Sequence, residues 1–360
     1  MKESRLEYID MVKGIGIILV VIGHSTYVSD QTITWLASFH MPLFFIISGL
    51  LFAYKGSERE AFASYAKKRF CGMMIPYFWF SLIYIGVYFY YLYAHPEIMD
   101  MFFIQSAAIQ AVSFYGISVL WFLPTIFVGE LCFYGLIKRC SRVVGRVIGA
   151  ICIVIPVFGK KTVESCIPMD SGLQWTWLGN FMLAVLRVFP AVAFLLLGYE
   201  AYELLKRYRL KAAWEILLGI GCLILNVAIA FANGRVDMHY LVFNNLVLFY
   251  LGALSAALGL ILIFRNVKKI WLLSFLGANS LIVTLTHLDC QLMSTAIRFA
   301  VGMNQFIPRA KDLMLRVNLY GSLLLGELVF IVVVNRIGFF LIGRKKPVKM
   351  EFPKIISGLR

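Results

Sequence analysis

Two ionisable side chains stand near the ends of the first apolar stretch and could act on one substrate. Lys13 and His24 lie in segment 10–25, and every residue between them is apolar or glycine. At 100° per helical residue they are about 20° from a common face and roughly 16 Å apart along the axis. Asp10, three residues before Lys13, lies near that face. Ionisable groups inside apolar helices are costly, so this face indicates a functional site.

Two further histidines occupy the ends of apolar stretches. His40 opens the second stretch and His287 closes the ninth, whereas His95 and His239 fall in predicted external loops and are expected to be solvated. Counting spans from the N-terminus puts His24, His40 and His287 at a similar depth; whether they meet laterally does not follow from the pattern. Imidazole exchanges protons near neutral pH, so these side chains could supply a general base. The alternative for each is a hydrogen-bonded structural role.

Other charged residues in apolar surroundings could support such chemistry. Glu130, in the fourth span, needs a partner or a proton, and orients a base, stabilises a cation or forms a structural ion pair. Arg187, in the sixth span, is a candidate anion anchor. The run Lys67-Lys68-Arg69 precedes Pro76-Tyr77 and could bind nucleotide phosphates or simply face anionic lipid. The histidines lack close metal-ligand spacing, so no metal site is predicted.

The composition identifies a membrane protein. Of the 360 residues, 61% are hydrophobic and only 15% are charged, whereas a soluble domain has about a quarter charged. The net charge of +15 would suggest nucleic acid in a soluble chain. In a membrane chain it reflects the concentration of lysine and arginine in cytoplasmic loops, so no nucleic-acid partner is expected.

The apolar stretches predict an all-α bundle of about ten transmembrane helices. With a cytoplasmic N-terminus, 25 of the 34 lysine and arginine residues fall on the inner side, and both termini are cytoplasmic. Residues 1–343 form one transmembrane domain and residues 344–360 a basic cytoplasmic tail. The short apolar stretch 101–114 is expected to be re-entrant or interfacial. The predicted spans are 11–27, 35–54, 74–93, 117–137, 145–158, 178–200, 213–231, 244–264, 271–289 and 317–341.

The ordered motifs resemble the acyltransferase-3 family of bacterial integral-membrane O-acyltransferases. The resemblance covers most of the chain, and Lys13 stands where the family usually has an arginine. It rests on Ile9-Asp10 with a basic residue before His24, Phe39-His40-Met-Pro-Leu-Phe-Phe-Ile-Ile-Ser48-Gly49, the basic run before Pro76-Tyr77, Trp121-Phe-Leu-Pro124, and Asn279-Ser280-Leu281 followed by His287.

The resemblance implies transfer of an acyl group, usually acetyl, from cytoplasmic acyl-CoA to a hydroxyl of a glycan or related acceptor outside a bacterial inner membrane. His24 would be the base, directly or through an acyl-histidine intermediate, and Glu130 would orient it. His40 and His287 would line the acceptor side or stabilise the oxyanion. From their position alone, the external segments 159–177 and 290–316 are expected to contact the acceptor. The donor phosphates would be bound by Lys13, Lys68, Arg69 and Arg187.

Two other classes of function are compatible with the same residues. Lys13, His24 and Arg187 could line a proton-coupled path through a transporter or flippase of a glycan or small anion. The chain could also be a non-catalytic membrane subunit or sensor. Only the enzyme consumes acyl-CoA, so label transfer from acyl-CoA separates the three classes.

Overall fold

The computed structural model describes residues 6–25, 27–97, 99–167, 173–290, 292–304 and 311–348, and this part of the chain is helical. Within it, strand pairing is limited to one isolated bridge between Asp237 and Val242. The predicted all-α fold is therefore confirmed. The helices are α1 (Glu7–Gly23), α2 (Asp30–Ala37), α3 (His40–Lys55), α4 (Phe62–Ala94), α5 (Met101–Val112), α6 (Phe122–Arg139), α7 (Arg142–Cys166), α8 (Leu173–Arg207), α9 (Ala212–Asn233), α10 (Leu246–Phe264), α11 (Trp271–Ala278), α12 (Ser280–Thr286), α13 (Leu292–Asn304) and α14 (Lys311–Arg336).

Eight helical segments of the described chain are long and apolar enough to cross a membrane. The continuous segment Asp30–Lys55, which joins α2 to α3, is the first, and α4, α6, α7, α8, α9, α10 and α14 supply the others. The remaining two predicted spans correspond to α1, which has 17 residues, and to the consecutive helices α11 and α12. The chain is a polytopic helical membrane protein.

The structure corrects several predicted boundaries. Helix α7 runs over 25 residues rather than 145–158. The prediction ended it at the charges of Lys160 and Lys161, but the Lys160 ammonium donates to the Tyr240 carbonyl at 2.7 Å and the helix continues. The predicted external segments are also partly helical: 94–116 holds α5, 159–177 holds the end of α7 and the start of α8, and 290–316 holds α13. Residues 168–172, 291, 305–310 and 349–360 of these segments and of the tail lie outside the described residues.

Ion pairs join the lysine- and arginine-rich helix ends, as expected if these ends share one side of the membrane. We call this side the basic end and the opposite side, which carries His24, His40 and His287, the histidine end. The positive-inside pattern predicts that the basic end is cytoplasmic. The pairs are Arg146–Glu200 at 2.9 Å and Arg142–Glu203 at 3.6 Å between α7 and α8, Lys269–Glu7 at 2.7 Å beside α1, and Arg265–Glu215 between α10 and α9.

Glycines bring two pairs of helices into backbone contact. A β-carbon at Gly277 of α11 would collide with the Asp10 carbonyl of α1, and one at Gly14 with the Leu273 carbonyl of α11. The same reciprocal arrangement joins α3 to α8 through Gly49 and Gly198. Small residues at such crossings let membrane helices pack without intervening side chains. These contacts hold α1 and α3, which carry His24 and His40, against α11 and α8.

A break at Asn279 separates α11 from α12. Asn279 has φ −115° and ψ 17°, and its amide nitrogen donates to the Phe275 carbonyl at 2.9 Å. The Asn335 amide of α14 donates to the Asn279 side-chain oxygen, also at 2.9 Å. The break is therefore fixed by side-chain hydrogen bonds, and α12 continues from it to His287 at the histidine end.

Candidate active site

His24 and His287 meet at the histidine end. The Nδ1 atom of His24 lies 3.4 Å from Nε2 of His287, and their ring centroids are 5.1 Å apart. His24 follows the last residue of α1 and is exposed, whereas His287 follows α12 and is fully buried. The buried ring thus supports an accessible one.

The hydrogen bonds of the two rings fix which nitrogen of each carries the lone pair. His24 Nδ1 lies 2.8 Å from the Val20 carbonyl, and His287 Nδ1 lies 2.8 Å from the Val283 carbonyl. A carbonyl only accepts, so each Nδ1 carries the proton and each neutral ring keeps its lone pair on Nε2. The Nδ1 proton of His24 can also be shared with Nε2 of His287. This arrangement leaves His24 Nε2 as the basic atom on the exposed ring.

His40 belongs to the same group. Its ring is half-buried, and its Nδ1 donates to the Leu36 carbonyl at 2.6 Å, so its lone pair is also on Nε2. His40 lies within electrostatic range of His24. The three histidines that the sequence placed at a similar depth therefore share one site.

A cavity of about 220 Å³ runs from the basic end of the bundle towards this histidine group. The end of the cavity nearer the histidines, which we call its upper end, is bounded by Val20, Met41 and Thr284. In the sequence, these residues lie four, one and three positions from His24, His40 and His287, respectively. Ser48 and Ser280 add hydroxyl groups along its wall. A substrate arm that enters from the basic end would therefore pass polar side chains and stop beneath the histidines.

The charged residues among those that line the cavity are three cations, Lys13, Lys55 and Arg69. They come from α1, α3 and α4, and converge on walls that are otherwise mostly apolar. Ammonium and guanidinium groups bind phosphates and carboxylates through charge-assisted hydrogen bonds. The lower end of the cavity is thus suited to a ligand with phosphate or carboxylate groups.

Glu130 holds one of these cations in place. Its Oε2 lies 2.6 Å from Nε of Arg69, and it also accepts hydrogen bonds from the hydroxyls of Ser48 and Tyr65. The Arg69 guanidinium lies 5.3 Å from the centre of the Tyr65 ring. Of the roles that the sequence left open for Glu130, these contacts fit stabilising a cation, because Glu130 pairs with Arg69 at the basic end rather than with the His24 imidazole.

Comparison with known protein families identifies the chain. A family described as "Acyltransferase domain" matches residues 6–340. The chain belongs to this acyltransferase family. No curated protein and no solved structure matches the acyltransferase. The match covers nearly the whole chain, so it favours the enzyme over the transporter and the non-catalytic subunit.

Two predicted donor contacts of the acyltransferase lie elsewhere. Lys68 is exposed on α4, and its ammonium lies 3.5 Å from a carboxylate oxygen of Glu60, away from the lining of the cavity. Arg187 is fully buried near the histidine end, and its Nε and Nη1 donate to the carbonyls of His239 and Tyr115, both at 2.7 Å. Nη2 is buried without a hydrogen-bond partner among the described residues. The location of Arg187 outside the cavity lining does not suit the predicted contact with donor phosphates.

The same cluster corrects the expectation for His239. Its ring stacks on Trp121 with an interplanar angle of 2° and a centroid distance of 5.4 Å, so it is half-buried rather than solvated. Arg187 lies 4.0 Å from the centre of the Tyr115 ring and completes the cluster. This cluster joins the loop after α9 to the segment before α6. It explains the Trp121 motif as part of the support for the histidine end.

Sequence reasoning missed three residues of the site. Lys55 was counted only as a topology charge, although it follows His40 by fifteen residues on α3 much as Lys13 precedes His24 on α1. Tyr65 carries no sequence signal that separates it from other aromatic residues. Asp289 follows His287 by two residues and lies within electrostatic range of His24. No group of three His, Cys, Asp or Glu side chains suited to a metal ion occurs among the described residues.

Proposed function

We propose that this membrane acyltransferase moves a short acyl group, in the first instance acetyl, from acyl-CoA at the basic end to an acceptor hydroxyl at the histidine end. The observation that carries the proposal is the cavity that runs from three cations towards the three histidines. Its lower end suits the phosphates of coenzyme A, and its upper end, next to Val20 and Thr284, would direct a thioester towards His24. The acceptor class is a glycan or a lipid-linked sugar, as the family resemblance implies.

Donor binding follows from the charges on the cavity wall. Arg69 presents a planar guanidinium that Glu130 orients, and Lys13 and Lys55 add two ammonium groups. An arginine can bind phosphate through two parallel hydrogen bonds, whereas a lysine acts as a point charge. The phosphates of the donor would accept charge-assisted hydrogen bonds from these groups, which would favour binding of acyl-CoA over uncharged thioesters.

The chemistry follows from the lone pair on His24 Nε2. This atom takes the proton of the acceptor hydroxyl as the hydroxyl oxygen attacks the thioester carbonyl carbon. The tetrahedral intermediate collapses, the carbon–sulfur bond breaks, and the departing thiolate takes the proton from His24. His287 Nε2 can accept from His24 Nδ1 throughout. His40 lies within electrostatic range of His24, and because its only N–H is donated to the Leu36 carbonyl, it would line the acceptor side rather than donate to the oxyanion.

The size of the cavity supports a short acyl group. About 220 Å³ is below the range of about 300–1,000 Å³ that is usual for pockets binding drug-sized ligands. A thioester arm with an acetyl group needs little width, whereas a long acyl chain would have to displace the cavity wall. We therefore expect the rate of transfer to decrease as the donor chain lengthens.

The test is transfer of radiolabel from acetyl-CoA to surface glycan by membranes that contain the full chain. We expect transfer by the wild type, none above background by His24→Ala, and wild-type transfer by the control His95→Ala, whose side chain is exposed and pairs with Glu97. The amount of folded protein is measured for each variant. Normal transfer by folded His24→Ala would refute the role of His24, and absence of transfer by the wild type would refute the proposed donor or acceptor.

A further inference from the structure

The exposed imidazole of His24 lacks the carboxylate that the sequence assigned to it, because Glu130 pairs with Arg69. Asp289 lies nearer to the reaction. It follows α12 and His287, and its carboxylate lies within electrostatic range of His24.

Two elements hold the Asp289 side chain, and a third contact fixes the end of α12 near it. The hydroxyl of Tyr88 on α4 donates to Asp289 Oδ1 at 2.8 Å. The Ser118 hydroxyl, in the 3₁₀ turn before α6, also bonds the carboxylate. One helical turn from Tyr88, Tyr84 donates to the Leu285 carbonyl at 2.8 Å and so ties the end of α12 to α4. The carboxylate is thus fixed relative to the His24–His287 pair, which α12 also supports.

The strained backbone conformation of Ser118 supports a role for this residue in holding Asp289. Ser118 has φ +49°, a left-handed conformation that costs about 1–3 kcal/mol for a residue with a side chain. Such strain persists where the surrounding structure requires it, and here it places a hydroxyl on Asp289. Glycine would relieve the strain but would supply no hydroxyl.

The other carboxylate oxygen of Asp289 is only partly compensated. Oδ2 is buried and has no hydrogen-bond partner within the part of the chain that the structure describes. A buried carboxylate with an unpaired oxygen is unfavourable unless its charge interacts with a positive group. The group beside it that gains positive charge in the proposed reaction is His24.

We propose that Asp289 is a positioning residue that stabilises the imidazolium of His24 during acyl transfer. This inference rests on the proposed function, because His24 becomes charged only if it accepts the proton of the acceptor. Asp289 acts through space and through the fixed end of α12, and it takes no proton itself. Among the described residues, the other titratable groups that face His24 or Asp289 are His40, His287, Tyr84, Tyr88 and Cys290, and Glu327 faces Tyr84 and Cys290 behind them.

The test compares Asp289→Asn with the wild type in the acetyl-CoA transfer assay, with the full chain in membranes, across pH 5 to 9. Asparagine keeps the shape and can still accept from Tyr88 but removes the charge. We expect kcat to fall at least tenfold with little change in the KM for acetyl-CoA. The acidic limb of the pH profile should also move to lower pH, by on the order of one unit, because the proton on His24 loses its negative neighbour.

Two further variants make the outcome decisive. Asp100→Asn is the matched control, because Asp100 is an exposed cap of α5 and asparagine caps a helix equally well; we expect it to behave as wild type. Tyr88→Phe leaves Asp289 charged but less well held and should lower kcat without moving the acidic limb.

An unchanged rate and pH profile for Asp289→Asn, with no transfer by His24→Ala, would overturn this inference and leave the proposed function intact. A lower rate with an unmoved acidic limb would also overturn it, since a merely structural role predicts that result. Absence of transfer by the wild type would instead refute the proposed function itself.

Discussion

The buried pair of Arg69 and Glu130 should have separable effects on stability and on donor binding. Glu130 is 1% exposed and the Arg69 side chain is 26% exposed. Arg69→Met leaves a buried carboxylate that keeps only the hydrogen bonds from Ser48 and Tyr65. Removing one partner of a buried ion pair costs about 3–5 kcal/mol of stability. Because the two remaining hydrogen bonds partly stabilise the carboxylate, we expect a loss at the lower end of this range, about 3 kcal/mol. Glu130→Gln should cost less, about 1–2 kcal/mol, because Arg69 can still reach solvent.

The double variant Arg69→Met with Glu130→Gln removes both charges and keeps similar volumes. Its stability should return to within about 1 kcal/mol of the wild type, because no unpaired charge remains buried. Its affinity for acyl-CoA should not return. Loss of one charged hydrogen bond to a phosphate, worth about 1.5–3 kcal/mol, predicts a Kd raised about 10- to 140-fold.

The two quantities are measured on the purified chain in lipid nanodiscs, as thermal unfolding midpoints and as binding of labelled acetyl-CoA. Arg336→Met is the matched control, because Arg336 is exposed near the end of α14 and does not line the cavity. Wild-type donor affinity in a stable double variant would refute the assignment of Arg69 to the donor phosphates. An unstable double variant would refute the reasoning about the buried pair.

Three further predictions concern the framework. Gly277→Ala should lower the free energy of unfolding by about 1–3 kcal/mol, and with it the unfolding midpoint, because the added β-carbon meets the Asp10 carbonyl. In the control Gly86→Ala the added β-carbon meets nothing within 4 Å, so the midpoint should not change. Equal midpoints for the two variants would contradict this prediction. Arg187→Lys should lose hydrogen bonds to carbonyl oxygens and so lower the free energy of unfolding by about 1.5–3 kcal/mol, while the KM for acetyl-CoA stays unchanged. A raised KM would show that Arg187 contributes to donor binding. Burial, and secondarily the charge of Arg187, lowers the pKa of His239 to about 3. The unfolded chain binds a proton at His239 near pH 6.5, so the stability of the folded chain should fall as the pH drops below 6.5. The fall should be smaller in His239→Phe, and equal losses of stability between pH 7 and pH 5 in the two proteins would refute this prediction.

The sequence predicted the helices and the depth of the histidines because both follow from local patterns. Apolar length marks a span, and helical periodicity places Lys13 and His24 on one face. The lateral neighbours do not follow from such patterns. His24 meets His287 across more than 260 positions of chain, and that contact depends on how α1 packs against α11 and α12.

The partners of the buried charges were the least predictable part of the site. The sequence marks Glu130 as a residue in need of a partner and Arg187 as a candidate anion anchor, but periodicity gives only the depth of a side chain. Glu130 found Arg69 on α4, and Arg187 found two loop carbonyls. A carbonyl acceptor leaves no trace in the amino-acid sequence, because every residue carries one.

The glycine contacts described above have a mechanical consequence. A side chain can adopt another rotamer when a neighbouring helix is displaced, but two backbones in direct contact cannot adjust in this way. The α1–α11 and α3–α8 pairs should therefore move as two rigid bodies, one carrying Lys13 and His24 and the other His40 and Lys55. The cavity lies between these bodies, so we expect it to widen or narrow by a small sliding of one pair past the other. Each pair carries a lysine and a histidine, and the sliding would change the separation across the cavity at both of its ends together.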